Sequence, residues 1–280
     1  MIRQAKPADA QAIRAFLLPR IETSMFLLGN LEAHGIGNTD HPHGMHYFLR
    51  ETGDRITGVF GATNGGYLTC QLPGLTRDEA QTYAYLVQGY TLRGMTGDAR
   101  QVPLILDSLP VAAGAWQINE AEPLYRLDLA DLPFAEAEIC PADHADLEGL
   151  AIWFGDSAVE TRTGCYAEGP NRARQALERG HLRLLLEGGV PVAMADINAR
   201  AGDCVQLGGV YVPPALRGSG RAGRLVVAQL HEWRDRGIAR AVLFAASAQA
   251  ARAYERIGFR RFGDYHIAVL SAPLTLGSPR

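Results

Sequence analysis

An α+β fold built from two copies of one unit is what the sequence predicts, and three observations predict it. The chain has 280 residues, 47% of them hydrophobic, which is enough for two domains of ordinary size. Short segments of the first half recur in the second, in the same order and at a nearly constant offset. Within each half, strand-length apolar runs and helix-period patterns both occur, separated by Gly and Pro turns.

The elements follow in order. Lys6-Pro7-Ala8-Asp9 and Cys140-Pro141-Ala142-Asp143 open the two copies, 134 residues apart. Each reads as a strand, a turn and a helix with Asp near its N-cap, because the apolar residues that follow (Ile13, Phe16, Leu17; Leu147, Leu150, Phe154) recur at helical spacing. His46 to Gly53 and His181 to Gly189 come next, their histidines 135 apart; each is a strand, a Gly turn and a second strand over 56–62 or 190–197. A third strand carries Gln71-Leu72 or Gln206-Leu207, again 135 apart. A long helix follows, over about 76–93 and 220–236. Ala112 to Trp116 then echoes Ala250 to Tyr254, 138 apart. The join falls near Asp131-Leu132-Pro133-Phe134, giving domains 1–132 and 133–280. The period is far too long for a solenoid.

Composition excludes several classes. A formal charge of -3 with 20% charged residues gives no electrostatic footprint for nucleic acid. No apolar run approaches the ~20 residues of a membrane-spanning helix, and the first residues lack the build of a signal peptide. A cytoplasmic protein without membrane contact is expected. Cys70, Cys140, Cys165 and Cys204 form no CxxC pair, so buried free thiols are expected rather than disulfides or zinc. His41-Pro42-His43-Gly44-Met45-His46 has no carboxylate or cysteine at ligand spacing; it reads as a polar loop, and no metal is expected.

The chemistry lies in the second half. Gln206 to Val212 is a buried strand that must stop at Pro213-Pro214, because proline cannot donate to a sheet. Arg217-Gly218-Ser219-Gly220-Arg221-Ala222 follows, and then a helix on which Leu225, Val226, Leu230 and Trp233 share a face. A glycine turn at a helix N-terminus is an anion site: the backbone comes close to the ligand and free N–H groups point at it. Arg217, Arg221 and Arg224 add positive charge, and pyrophosphate is the ligand such a turn suits. The turn lacks the Gly-Lys-Ser/Thr of a Walker loop and does not fit GxGxxG. Further on, Ala239 to Phe244 is a strand, and Ser247 to Phe259 is a short helix with Ser247 at the N-cap, Tyr254 two turns on and Gly258 at its end.

These two motifs resemble the GNAT superfamily of acyl-CoA-dependent N-acyltransferases. Its pyrophosphate loop, Arg/Gln-x-x-Gly-x-Gly/Ala, is matched by Arg217, Gly220 and Ala222. Its second signature, Asn-x-x-Ala-x-x-x-Tyr-x-x-x-Gly-Phe, is matched by Ala250, Tyr254, Gly258 and Phe259, with Ser247 in place of Asn. The resemblance covers about 136–270 and makes the chain similar to tandem GNAT proteins with a divergent N-terminal copy. It implies two GNAT-like domains, each a mixed, mostly antiparallel twisted sheet flanked by helices. It implies acetyl-CoA as co-substrate, held by the strand Val210-Tyr211-Val212, by Arg217, Gly218, Ser219, Gly220, Arg221 and Ala222, and by Ser247 and Tyr254. A splay between the strand ending at Val212 and the one from Ala241 would admit the thioester. Tyr254 would protonate the leaving CoA thiolate.

The acceptor is expected to be an amine on a small molecule or a protein. The base is open: Gln206 stands where many members carry Glu, leaving Asp196, Asp203 and Glu160, of which Glu160 is the acceptor-site candidate, or a water chain. In the first half, Leu75 to Ala80 replaces the glycine turn, and Asp78 and Glu79 repel phosphate, so residues 1–132 are not expected to bind acyl-CoA. A non-catalytic acyl-CoA-binding module is the alternative to an enzyme.

Overall fold

The computed structural model of the chain describes residues 1–277. The chain forms two compact units: the second is continuous, 123–263, while the first comprises 1–122 and resumes at Asp264. The single join expected near residue 132 is therefore replaced by two crossings, at Glu122/Pro123 and Gly263/Asp264, and the second unit is an insertion in the chain of the first.

In the first unit, β1 (Ile2–Gln4) leads through α1 (Ala10–Leu17) and α2 (Ile21–His34) to β2 (Met45–Thr52), β3 (Arg55–Thr63) and β4 (Tyr67–Gln71). After α3 (Arg77–Leu86) come β5 (Thr91–Asp98) and α4 (Val102–Ser108). β1 to β4 pair antiparallel in turn, and β4 pairs in parallel with β5. The helix expected over 76–93 stops at Leu86, because Gly89 takes a φ of +80° and a strand begins at Thr91. Trp116 lies on no helix. It opens β6 (Trp116–Asp128), and α4 stands between β5 and that strand.

The second unit repeats the order: β7 (Glu138–Pro141), α5 (Leu147–Glu160), α6 (Gly169–Arg179), β8 (Arg183–Glu187), β9 (Val190–Ala201), β10 (Cys204–Tyr211), α7 (Arg221–Asp235), β11 (Arg240–Phe244) and α8 (Ala248–Glu255). β7 to β10 pair antiparallel, and β10 pairs in parallel with β11. Both crossings run inside strands. The second part of β6 pairs antiparallel with β11, from Arg240↔Asp128 to Phe244↔Leu124. The last strand, β12 (Arg260–Thr275), pairs with β5 of the first unit from Tyr265↔Asp98 to Val269↔Gly94. The strands of each unit are thus completed by one that follows the other unit's helices in sequence.

Alternation along the strands sorts side chains between two layers. In the second unit Ala193, Ala195, Ile197, Val205 and Leu207 pack under Leu225, Val226, Leu230 and Trp233 of α7, with Leu127 from β6 and Phe259. Met194 and Tyr211 face the other way, against Leu150 and Phe154 of α5 and Ala173 and Ala176 of α6. The first unit has its own core, including Phe60, Tyr83, Met95 and Ile105, with Ala268 and Leu270 supplied by β12.

Candidate functional site

The site begins where β10 leaves its neighbours. β10 pairs with β11 only from Cys204↔Arg240 to Gln206↔Val242, although both strands continue. On its other side the register with β9 breaks between Gly208 and Tyr211. Gly209 and Val210 therefore have no register partner on either side. Gly209 makes this bulge possible: its φ is +58°, and a Cβ there would stand 3.2 Å from the Cβ of Asp196. Main-chain N–H and C=O groups out of the ladder are what an extended ligand arm can pair with.

Beyond Pro213 and Pro214 the chain reaches the glycine turn. Gly220 is the N-cap of α7 in the left-handed conformation (φ 74°, ψ 10°), and no side chain caps the helix. The first amide of this helix with a backbone acceptor is that of Arg224, which donates to Gly220 O at 3.0 Å; the amides of Gly218 to Gly223 have none among the described residues. Val210, Leu216, Ala222 and Tyr254 all pack, half-buried, on the core that holds Val212, Leu243 and Phe259. The Ser247 hydroxyl accepts from the amide of Ala250 at 3.1 Å and so caps α8. Tyr254 packs edge-on against Phe259, its hydroxyl has no hydrogen-bond partner among the described residues, and burial raises its pKa well above the ordinary phenol value. The strand ending, the amide turn and the phenol thus share one end of one sheet.

The arginines are engaged with carboxylates. Arg217 donates through Nη2 to both oxygens of Glu160 (2.8 and 2.9 Å) and through Nε to Val212 O (2.8 Å). Glu187, at the end of β8, accepts from Arg221 (2.6 Å) and Arg224 (2.5 Å), and those two charges hold its pKa below the usual range, Arg221 contributing most. Glu160 thus reaches the turn itself, from the last position of α5. The sequence reading passed over Asp156, one helical turn earlier, which accepts from the Tyr211 hydroxyl at 3.4 Å. Its i, i+4 spacing from Glu160 was the available signal. Burial, then the charges of Asp156 and Glu160, push Tyr211 up to about 12.

Of the other carboxylates named from sequence, one is remote and one is buried. Asp203 pairs with Arg240 at the far end of β10. Asp196 is fully buried beneath the bulge, accepting from Arg179 (2.6 Å) and from the amide of Ile197 (2.8 Å); burial raises its pKa against the pull of Arg179. Gln206 is buried at the last position of β10 that pairs with β11, and its Oε1 has no partner among the described residues. Cys70 and Cys204 are buried as expected, whereas Cys165 is exposed. The rings of His34 and His41 stack 4.0 Å apart, and no group of three potential ligands among the described residues could hold a metal.

The first unit shows the same elements closed. β4 pairs with β5 over four of its five residues, and the next amide, that of Leu72, donates to Gln101 Oε1 at 2.5 Å. Thr76 and Glu79 form a capping box on α3, which satisfies amides that α7 leaves open. Gln71, the counterpart of Gln206, accepts from Thr23 (2.8 Å) and Ser24 (3.0 Å).

Residues 151–259 match the sequence model of the Acetyltransferase (GNAT) family. The second unit is a GNAT domain. The match supports acyl transfer as the chemistry of this domain, and it spans the bulge, the glycine turn and Tyr254. Solved structures agree in fold along nearly the whole chain. A Drosophila protein is 14% identical with a TM-score of 0.63, covering 96% of this chain and 98% of its own. A GCN5-related N-acetyltransferase from Kribbella flavida is 15% identical with a TM-score of 0.56, covering 90% and 95%. A tandem GNAT protein from the clavulanic acid biosynthesis pathway is 13% identical with a TM-score of 0.52, covering 98% and 99%. At these identities the likeness establishes fold and not substrate. A search of the curated proteins found no match. Among the described residues no helix is long and apolar enough to cross a membrane.

Proposed function

We propose that the chain transfers an acetyl group from acetyl-CoA to a primary amine by direct attack in a ternary complex, with the second unit as the only donor site. One observation carries the reading: an uncapped α7 N-terminus, with open amides from Gly218 to Gly223, adjoins a strand that has parted from both neighbours. The first unit lacks each of these features, which supports a bracing role for it.

The residues fit such a co-substrate. The amides from Gly218 to Ala222 would hold the pyrophosphate at the positive end of α7. Val210 and Val212 would pair with the pantetheine arm through their main chain. When bound, acetyl-CoA supplies an acyl thioester. Tyr254 keeps its proton through neutral pH, as a phenol of ordinary pKa ~10 does, and burial raises its pKa further. It can therefore donate to the departing thiolate sulfur, whose conjugate acid has a pKa of ~8.5. Asp156, and Glu160 once separated from Arg217, are the carboxylates placed to draw a protonated amine and take its proton, directly or through water. The alternative is a regulatory module that binds acyl-CoA without turnover. Gln206 in place of a carboxylate favours that alternative; the packing of Tyr254 on the same core as Val210 and Ala222 favours the enzyme.

Thiol release from acetyl-CoA across a panel of amines separates the two. Turnover that falls on Tyr254→Phe supports the transferase. Tight acetyl-CoA binding with no release for any amine, in wild type and Tyr254→Phe alike, would establish the binding module.

A further inference from the structure

The arginine that opens the glycine turn has two claimants. We propose that Glu160 competes with the donor's pyrophosphate for Arg217, so that the last residue of α5 sets donor affinity from across the site. The inference rests on the acetyl-CoA reading above. Arg217 is anchored at its Nε by Val212 O at the end of β10, and its Nη2 end faces both oxygens of Glu160. That end is the part of the side chain free to swing, and it lies three residues before the N-cap of α7. The same guanidinium stands over the Tyr211 ring, 5.6 Å from its centroid, a contact that holds it beside the strand.

Exposure decides whether the pair can yield. The side chains of Arg217 and Glu160 are 39% and 43% exposed. Solvent screens such a pair, and exposed pairs are weak. A pyrophosphate brings more charge than one carboxylate, together with acceptors for the backbone amides that Glu160 does not reach. The exchange therefore favours the donor but lowers its apparent affinity by the strength of the pair. Glu187 holds Arg221 and Arg224 in the same manner, but from β8. Only Glu160 belongs to the helix that carries Asp156 and contacts Tyr211, so only its release changes the charge beside the strand on that face. Glu160 acts here as a positioning residue, through Arg217.

Calorimetric titration of acetyl-CoA into the full chain tests this, comparing wild type, Glu160→Gln, Glu160→Asp, Arg217→Ala and the Glu160→Gln/Arg217→Ala double variant. Both Glu160 variants should bind about two- to five-fold more tightly than wild type, the range expected on relieving an exposed ion pair. The gain should vanish in the Arg217→Ala background. S-acetylpantetheine, which has no pyrophosphate, should bind wild type and Glu160→Gln equally. Unchanged or weaker acetyl-CoA binding by both Glu160 variants, with melting temperatures at the wild-type value, would overturn the competition and leave the donor site standing. An equal gain for S-acetylpantetheine would overturn it as well. If wild type binds no acetyl-CoA, the functional reading fails first and the competition with it.

Discussion

Gly220→Ala is the sharpest probe of the turn. Gly220 sits at φ 74° and ψ 10°, and a Cβ there would meet nothing within 4 Å. The penalty is therefore conformational rather than steric. An L-residue held left-handed costs roughly 1–2 kcal/mol. At about 2–4 °C per kcal/mol for a domain of this size, melting should fall by roughly 2–8 °C. A backbone that relieves the strain by leaving φ > 0 re-aims the amides of Gly220, Arg221 and Ala222. Losing one charge-assisted hydrogen bond to phosphate costs about 1.5–3 kcal/mol, or roughly 10- to 100-fold in acetyl-CoA affinity. Gly220→Asn is the control, because asparagine enters the left-handed region at lower cost. It should restore most of both losses. Thermal melts and calorimetry on the three proteins give both numbers. A normal melting temperature for Gly220→Ala would refute the strain argument. A lowered melting temperature with unchanged affinity would show that the turn does not hold the pyrophosphate.

Four further outcomes are expected. Tyr254→Phe should lower kcat by about 10²- to 10⁴-fold while acetyl-CoA affinity moves little; equal losses in both would mark Tyr254 as a packing residue. Arg217→Ala should weaken acetyl-CoA by about ten-fold or more in calorimetry; wild-type affinity would remove Arg217 from the donor site. Fragment 123–263 should fold and bind acetyl-CoA, whereas fragment 1–132, which lacks the β12 residues Tyr265 to Val269, should melt without cooperativity; a sharp melt for the latter would show that β5 needs no such partner. Asp9, held down to about 2 mainly by Arg3 and then by the Lys6 amide, binds fewer protons folded than unfolded between about pH 4 and pH 2. Its stabilisation is present above about pH 4 and is lost as pH falls through 2. Asp9→Asn should thus cost about 1 kcal/mol at neutral pH, and that cost should shrink from about pH 4 downward, with only a small part left at pH 2, in urea melts.

Local chemistry was legible in the sequence; pairing between distant strands was not. The turn and its helix could be read because Gly220, Arg221 and the Leu225-Leu230-Trp233 face lie within one stretch, where spacing decides the outcome. Ser247 could be read as a cap for the same reason. The partners of β6 and β12 could not, since an apolar alternation marks a strand but carries no label for its neighbour. Trp116 shows the cost of matching by composition. Ala-rich segments align it with Tyr254, yet it opens a strand, and the counterpart of α8 is α4. Glu160 was legible as a carboxylate near the site, while its bond to Arg217 needed the angle at which α5 meets the end of β10.

On the acetyl-CoA reading proposed above, the two units account for how one fold keeps or loses a donor site. Gln71 and Gln206 hold the same place on the third strand of each unit, both buried. Fourteen residues separate Gln206 from Arg221 at the start of α7, whereas five separate Gln71 from Arg77 at the start of α3. The second unit's connection is nine residues longer, and that length contains the bulge at Gly209, the strand ending at Val212 and the glycine turn. A five-residue connection leaves no slack for β4 to part from β5, and Gln101 closes the last open amide. The capping box of Thr76 and Glu79 then satisfies the helix internally. Restoring glycines to 75–76 alone should therefore create no acetyl-CoA site, because the strand would still end without a bulge. Grafting residues 207–220 in place of 72–76 supplies both parts; micromolar acetyl-CoA binding to a chain so altered, with its own site removed by Arg217→Ala and Gly220→Ala, would show that the length of this connection decides the matter. Binding by the glycine substitutions alone would refute it.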